Sequence, residues 1–187
     1  MQLILASASP RRAELLASSG FEFIVRPADV DERYSPDESP EDYVVRVARD
    51  KAEAVADECR TTGRVVLAAD TIVVARGEIL GKPADRLDAI RMLKLLSGSV
   101  HDVFTGVVIA SPDQELATAV GTRVSFLPLS VDEINWYIDT GEPEGKAGAY
   151  AIQGHAARFI DRIEGSWSNV VGLPMATVYQ LLKRVGF

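Results

Sequence analysis

Gln2-Leu3-Ile4-Leu5-Ala6-Ser7-Ala8-Ser9-Pro10-Arg11-Arg12 passes from one kind of local structure to another without a linker. Residues 2–6 are an uninterrupted apolar run, the pattern of a buried strand. Ser9 is a good N-cap, and Pro10 suits the first helical position, where its missing N–H forfeits no hydrogen bond. A helix is therefore expected from about Pro10 through Ala17, stopping at Ser19-Gly20. Phe21, Phe23 and Val25 then alternate as a second strand would.

The rest of the chain keeps mixing the two kinds of element. Residues 27–38 are polar and read as a loop. Ser39-Pro40-Glu41-Asp42 opens a helix with an apolar stripe of Val44, Val47, Ala48, Ala52 and Val55, and Lys51 falls inside that stripe. Val65-Val66-Leu67-Ala68-Ala69 is the strongest buried strand and is expected to end at Asp70-Thr71. A further strand, Ile72 to Ala75, turns at Arg76-Gly77-Glu78 into a hairpin. After Gly81-Lys82-Pro83 a helix is expected from Asp85, with Ile90, Leu93 and Leu96 inward and Ser97-Gly98 at its end. Residues 100–110 and 115–127 read as paired strands around Pro112-Asp113. Ser130-Val131-Asp132-Glu133 is a capping box for a helix ending near Gly141. Beyond the Gly-rich loop 141–148, strands are expected near 149–152 and at 157–163, and a last helix from Pro174. No repeat or linker divides residues 1–187, so one domain is expected. Hairpins together with crossovers indicate an α/β (mixed α+β) fold with a mixed sheet.

Composition removes several function classes. The 187 residues carry 27 acidic and 20 basic side chains, a net charge of −7, which argues against a general nucleic-acid binder. It leaves room for a small anionic ligand if cations converge locally. No apolar run approaches the length of a membrane helix, and the start of the chain is too short and insufficiently basic for a secretory leader, so cytoplasmic residence is expected. A single cysteine cannot build a disulfide framework or a Cys-rich zinc site. Cys59 falls late in an expected helix and reads as an inert helix residue.

Four places could carry chemistry. The turn Ser7-Ala8-Ser9-Pro10-Arg11-Arg12 leads into a helix N-terminus, where free N–H groups and the helix dipole favour anions. Two arginines there oppose the dipole, which anion binding would explain; a solvated basic turn is the alternative. Asp70 follows five buried-type residues and would be held at the rim of a sheet, where α/β folds place their sites; a turn-former is the bland reading. Lys51 either snorkels or aims into a cleft. Lys82 lies in Gly77-Glu78-Ile79-Leu80-Gly81-Lys82-Pro83, a near miss for a P-loop that lacks its spacing and its Ser/Thr. Lys146-Ala147-Gly148-Ala149-Tyr150-Ala151-Ile152-Gln153-Gly154 combines small residues with Gln153, which both donates and accepts; a tight turn is the alternative. His101 and His155 lack metal-ligand spacing, and His101 reads as structural. Glu32, in Asp31-Glu32, could join Asp70 around Mg²⁺, or simply face solvent.

Taken together and in order, Leu5-Ala6-Ser7-Ala8-Ser9-Pro10-Arg11-Arg12, Ala69-Asp70-Thr71, Gly81-Lys82-Pro83, Lys146-Ala147-Gly148-Ala149-Tyr150 and Asn169-Val170-Val171-Gly172-Leu173-Pro174 resemble the Maf family of nucleoside triphosphate pyrophosphatases. The resemblance spans nearly the whole chain. It implies a mixed sheet flanked by helices, two lobes around a cleft, and kinship with inosine triphosphatases. It also implies a divalent metal (Mg²⁺, with Mn²⁺ or Co²⁺ as alternatives), a cytoplasmic location, commonly a homodimer, and a historical link to septum formation. The family's catalytic aspartate falls on Asp70, and its polar and cationic phosphate-site positions on Ser7, Arg12, Glu32, Lys51 and Lys82; Glu32 and Asp70 are the candidate carboxylates for the metal. Its three specificity positions fall on Arg11, Thr71 and Gln153, a trio that looks like the dTTP/UTP branch.

Base chemistry agrees with that branch. Arginine only donates hydrogen bonds, and uracil and thymine present two carbonyl oxygens where cytosine replaces one with an amino group. Two other readings compete with a dTTP/UTP pyrophosphatase: a nucleotide-responsive cell-division interaction protein with little catalysis, and a purine-directed pyrophosphatase.

Overall fold

The computed structural model describes residues 2–35, 37–56 and 63–187; Cys59 lies outside them. Among the described residues, β1 (Leu3–Leu5), β2 (Phe23–Val25), β3 (Val65–Ala75), β4 (Glu78–Leu80), β5 (Val100–Ala110), β6 (Glu115–Phe126) and β7 (Ile160–Glu164) make a seven-stranded mixed sheet in the order β2-β1-β3-β5-β6-β7, with β4 paired to β3. By internal packing the chain divides into two units, Met1–Asp70 with Thr105–Val120 and Gly172–Phe187, and Thr71–Phe104 with Gly121–Val171.

In the first unit, β1 (Leu3–Leu5) is the centre of a parallel trio. Leu3 stands opposite Phe23 of β2 (Phe23–Val25) on one side and Val65 of β3 (Val65–Ala75) on the other. β1 is buried throughout, as its unbroken apolar run requires. α1 (Pro10–Ser18) connects β1 to β2 and ends before Gly20, whose φ of +81° suits glycine. Ser9 occupies the N-cap position without a side-chain cap; its N–H donates instead to Ser7 Oγ.

α2 (Pro40–Ala54) starts as its sequence demands, with Ser39 Oγ accepting from Asp42 N at 3.1 Å. Its small residues Ala48 and Ala52 pack with Ile4 and Ala6 of the first strand segment, Val66 and Ala68 of β3 and Val108 of β5 (Val100–Ala110). The i, i+2 spacing on each strand shows that one sheet face is read out here. The helix comes so close that a Cβ on Gly106 of β5 would stand 2.2 Å from the Val44 carbonyl oxygen. α6 (Met175–Arg184) begins after Pro174, as expected.

In the second unit, β3 meets β4 (Glu78–Leu80) in a hairpin through Arg76 and Gly77, at φ +52° and +81°. Two positive φ values are what a tight two-residue hairpin turn needs. α3 (Arg86–Leu96) is capped by Asp85 and buries Ala89, Met92, Leu93 and Leu96, leaving Ile90 half-buried; it packs against α4 (Val131–Asp139), whose Ser130–Glu133 capping box is complete. β6 (Glu115–Phe126) pairs antiparallel with β7 (Ile160–Glu164), and a short helix α5 (Trp167–Val171) follows.

Three expectations need correcting. β3 does not end at Asp70-Thr71 but runs on to Ala75, because residues 73–75 find β4 as a partner. The strand expected near 149–152 is absent: Gly148 and Ala149 both have positive φ, which breaks an extended chain into a 3₁₀ turn over Ala147–Ala149. A second 3₁₀ turn, His155–Phe159, delays the following strand to Ile160. Among the described residues, no helix is long and apolar enough to cross a membrane.

Candidate active site

Asp70 lies inside β3, between residues 65–67, which pair with β1, and residues 73–75, which pair with β4. This corrects the expectation of a residue at a strand's tip. A carboxylate is tolerated in mid-strand because its charge is met: Lys51 Nζ lies 2.7 Å from Asp70 Oδ1. The same ammonium lies 2.6 Å from Glu32 Oε1. Lys51 therefore does not snorkel from its apolar stripe. It is 7% exposed and bridges two carboxylates brought from a loop and a strand. Such pairs persist in low dielectric only when both signs are present.

Arg12 organises the other side of the same group of residues. Its Nε donates to the Gly172 carbonyl at 2.8 Å, and its Nη1 to the Ala69 carbonyl at 2.7 Å and to Ser7 Oγ at 3.1 Å. The fork of a planar guanidinium thus joins the first turn, the residue preceding Asp70, and the C-terminal Gly-Leu-Pro segment. Burial lowers the Arg12 pKa, and the charge of Asp70 offsets part of that loss. Ser7 is itself buried, 5% exposed, with its hydroxyl accepting from Ser9 N as well.

Tyr43, on the first turn of α2, donates its hydroxyl to the Glu32 carbonyl at 2.5 Å. Burial, then the charges of Asp70 and Glu32, push that hydroxyl up to about 12, so it remains a neutral donor. Arg46 anchors the same loop to α2 through Glu38 and the Arg33 carbonyl. Asp31 turns away to Arg33, whose hydrogen bonds hold its carboxyl down at about 2. The acidic pair is therefore split: Glu32 faces Lys51, and Asp31 faces solvent.

Of the residues singled out in the sequence, Ser7, Arg12, Glu32, Lys51 and Asp70 are brought together in the first unit. Arg11 is half-buried beside them in sequence, with a pKa lowered by burial. Thr71, Lys82 and Gln153 belong to the second unit. There the Gly81 carbonyl, next to Lys82, accepts from Gly148 N at 3.1 Å, so the Gly-Lys-Pro and Lys-Ala-Gly segments meet. Gly148 is required twice over: its φ is +69°, and a Cβ would stand 2.8 Å from Val73 Cγ2. Gln153 is exposed on a turn just after that segment. The expectation of a satisfied structural His101 holds for one ring nitrogen only: the residue is buried, with Nε2 2.9 Å from the Tyr150 hydroxyl and Nδ1 without a hydrogen-bond partner. Sequence reasoning missed Tyr43, because a buried aromatic on a helix looks like core. It also missed what Gly172 does, although the motif containing it was noted.

The donor set around Lys51 fits a hard divalent cation. Glu32 and Asp70 would supply its oxygen ligands, and they already share one positive charge between them. Among the described residues no group of three or more His, Cys, Asp or Glu forms a self-sufficient cage. Mg²⁺ needs none, since it commonly uses one or two carboxylates with water and substrate phosphates.

Several known proteins are similar to this chain over nearly its whole length. The dTTP/UTP pyrophosphatase of Anaeromyxobacter dehalogenans strain 2CP-C is 55% identical over 190 residues, covering 100% of this chain and 95% of that protein. Proteins of the same name from Geobacter sulfurreducens and Koribacter versatilis are 53% and 50% identical over 99% and 100% of this chain, covering 97% and 95% of theirs. The Staphylococcus aureus Ham1 protein aligns with 85% of this chain and 91% of its own at 13% identity, but its TM-score of 0.48 is too low to support a functional conclusion. The model of the Maf-like protein family matches residues 2–185, and the chain belongs to that family.

Proposed function

We propose that this chain is a dTTP/UTP pyrophosphatase, hydrolysing the bond between the α- and β-phosphates to give a nucleoside monophosphate and pyrophosphate. The observation that carries the reading is the buried Lys51–Asp70 ion pair, with Glu32 at its exposed edge, next to the Arg12 fork. Asp70 takes the proton of the attacking water. Lys51 orients that carboxylate and supplies positive charge to the phosphoryl oxygens, where preorganised charge in a desolvated site is most effective. Arg12 keeps Ser7 and the Asp70 segment in place, and Lys82 contributes a second cation. A divalent cation held by Glu32 and Asp70, Mg²⁺ foremost, would neutralise phosphate charge when bound. The resemblance assigns base recognition to Arg11, Thr71 and Gln153, whose donors suit the carbonyl oxygens of uracil and thymine. The relatives' names support that substrate choice.

The test is product identification after incubation with UTP or dTTP and Mg²⁺. Monophosphate and pyrophosphate are expected; diphosphate and orthophosphate would contradict the proposed bond. Saturable nucleotide binding without turnover would favour the interaction-protein reading. Asp70→Asn should lower kcat by about a thousandfold or more while nucleotide still binds, as loss of a general base with intact contacts predicts.

A further inference from the structure

Glu142 makes an unusual set of bonds for a half-buried surface carboxylate. Its Oε2 accepts from His155 N at 2.8 Å, and its Oε1 accepts from Ala156 N at 3.2 Å and from the Tyr137 hydroxyl at 2.8 Å. The Tyr137 oxygen in turn accepts from Ala151 N at 3.2 Å. These bonds bracket the turn bearing Gln153, with Tyr137 fixing the backbone two residues before it and Glu142 the backbone two and three residues after. The turn closes on itself through Gly154 N to the Ala151 carbonyl at 3.1 Å.

Gly154 makes the bracket possible. A Cβ there would lie 2.1 Å from Glu142 Oε2 and 2.4 Å from its Cδ, so the carboxylate occupies the space that any other residue at 154 would fill. Burial pushes the Glu142 carboxyl up, but the N–H groups of His155 and Ala156 and the Tyr137 hydroxyl outweigh it, and the group lies below its ordinary value. It thus stays an ionised acceptor, and charge-assisted bonds of this kind are the stronger ones. Tyr137 is completely buried and in ring contact with Phe159, which gives the network a rigid base on α4.

We infer that Glu142, seated by Gly154 and Tyr137, is a positioning residue for nucleobase discrimination, acting through the backbone of the Gln153 turn. The inference rests on reading Gln153 as a base-recognition residue. A glutamine amide is ambivalent, accepting on one atom and donating on the other. It discriminates uracil from cytosine only if its backbone holds it in one orientation. A site that hydrogen-bonds one base edge loses selectivity when the group can reorient.

The experiment measures kcat/KM with UTP and CTP, and the thermal unfolding midpoint, for the full chain and for Glu142→Gln, Gly154→Ala, Gln153→Ala and the Glu142→Gln/Gln153→Ala double variant. Glu142→Gln replaces one acceptor with a donor facing a backbone N–H. Gly154→Ala leaves Glu142 chemically intact but displaces its carboxylate, and so carries the test if Glu142→Gln fails to fold. Both should lower the UTP:CTP ratio of kcat/KM by about tenfold. In the Gln153→Ala background the Glu142 substitution should change the ratio no further, as expected for two residues acting through one group. A loss of stability alone would lower activity on both nucleotides together and leave their ratio intact. An unchanged ratio in the folded Glu142→Gln or Gly154→Ala protein, with a lowered ratio in Gln153→Ala, overturns the inference and spares the Gln153 reading. An unchanged ratio in Gln153→Ala overturns both.

Discussion

Lys51 shows how much one buried side chain can decide. Its apolar neighbours on α2 make burial favourable, and its charge is tolerable only because Asp70 and Glu32 meet it. Replacing it with methionine would keep the stem and strand the buried Asp70 carboxylate. Breaking a buried pair by removing one partner costs about 3 kcal/mol or more. Lys51→Met should therefore lower the urea midpoint clearly and abolish turnover; an unchanged midpoint would mean that Asp70 is solvated without it. Arg12→Lys should cost about 2 kcal/mol, because a point charge cannot serve three carbonyl and hydroxyl acceptors in the plane of a fork. Lys51 was legible in the sequence as a charge in an apolar stripe. The partners of Arg12 were not, since Ala69 and Gly172 lie 57 and 160 residues away and a carbonyl carries no residue signature.

At the scale of elements, the contact between α2 and β5 sets where Lys51 stands. Gly106 leaves no room for a side chain, because a Cβ would meet backbone atoms of Val44 and Val45 at 2.2–2.6 Å. Gly106→Ala should lose about 3 kcal/mol, in the range of severe overpacking, with loss of activity from displacement of α2. A thermal unfolding scan beside a rate measurement checks both. The loop bearing Glu32 depends on the same helix through Tyr43. Tyr43→Phe should leave the ring packing but free the Glu32 carbonyl, at about 1 kcal/mol. Caps and turns were readable from local chemistry, as at Ser39, Ser130 and Arg76-Gly77. The continuation of β3 through Asp70 was not, because the rule that disfavours aspartate in strands is overridden when a buried lysine satisfies it.

For the molecule as a whole, the buried His101 makes stability depend on pH. It packs edge-on against Phe126 and Tyr150, and burial lowers its pKa from 6.5 to about 4. The unfolded chain therefore binds a proton between pH 6.5 and 4 that the folded chain refuses. Stability is complete above the unfolded value and falls as pH drops through this window. Urea titrations at pH 7.5 and 5 should differ by about 2 kcal/mol from this residue, and His101→Phe should remove most of that difference. An equal loss in both proteins would place the acid sensitivity elsewhere.

Local pattern was enough for the fold class, most element positions and the choice of candidate site residues, because hydrophobic period, caps and charges out of place are written in neighbouring positions. It also carried the family, through motifs in a particular order. Which charges meet came from packing alone: the Lys51 bridge, the three acceptors of Arg12 and the Glu142 bracket all join distant segments. Burial makes these bonds obligatory, but several pairings could satisfy it, and the path of the folded chain selects one.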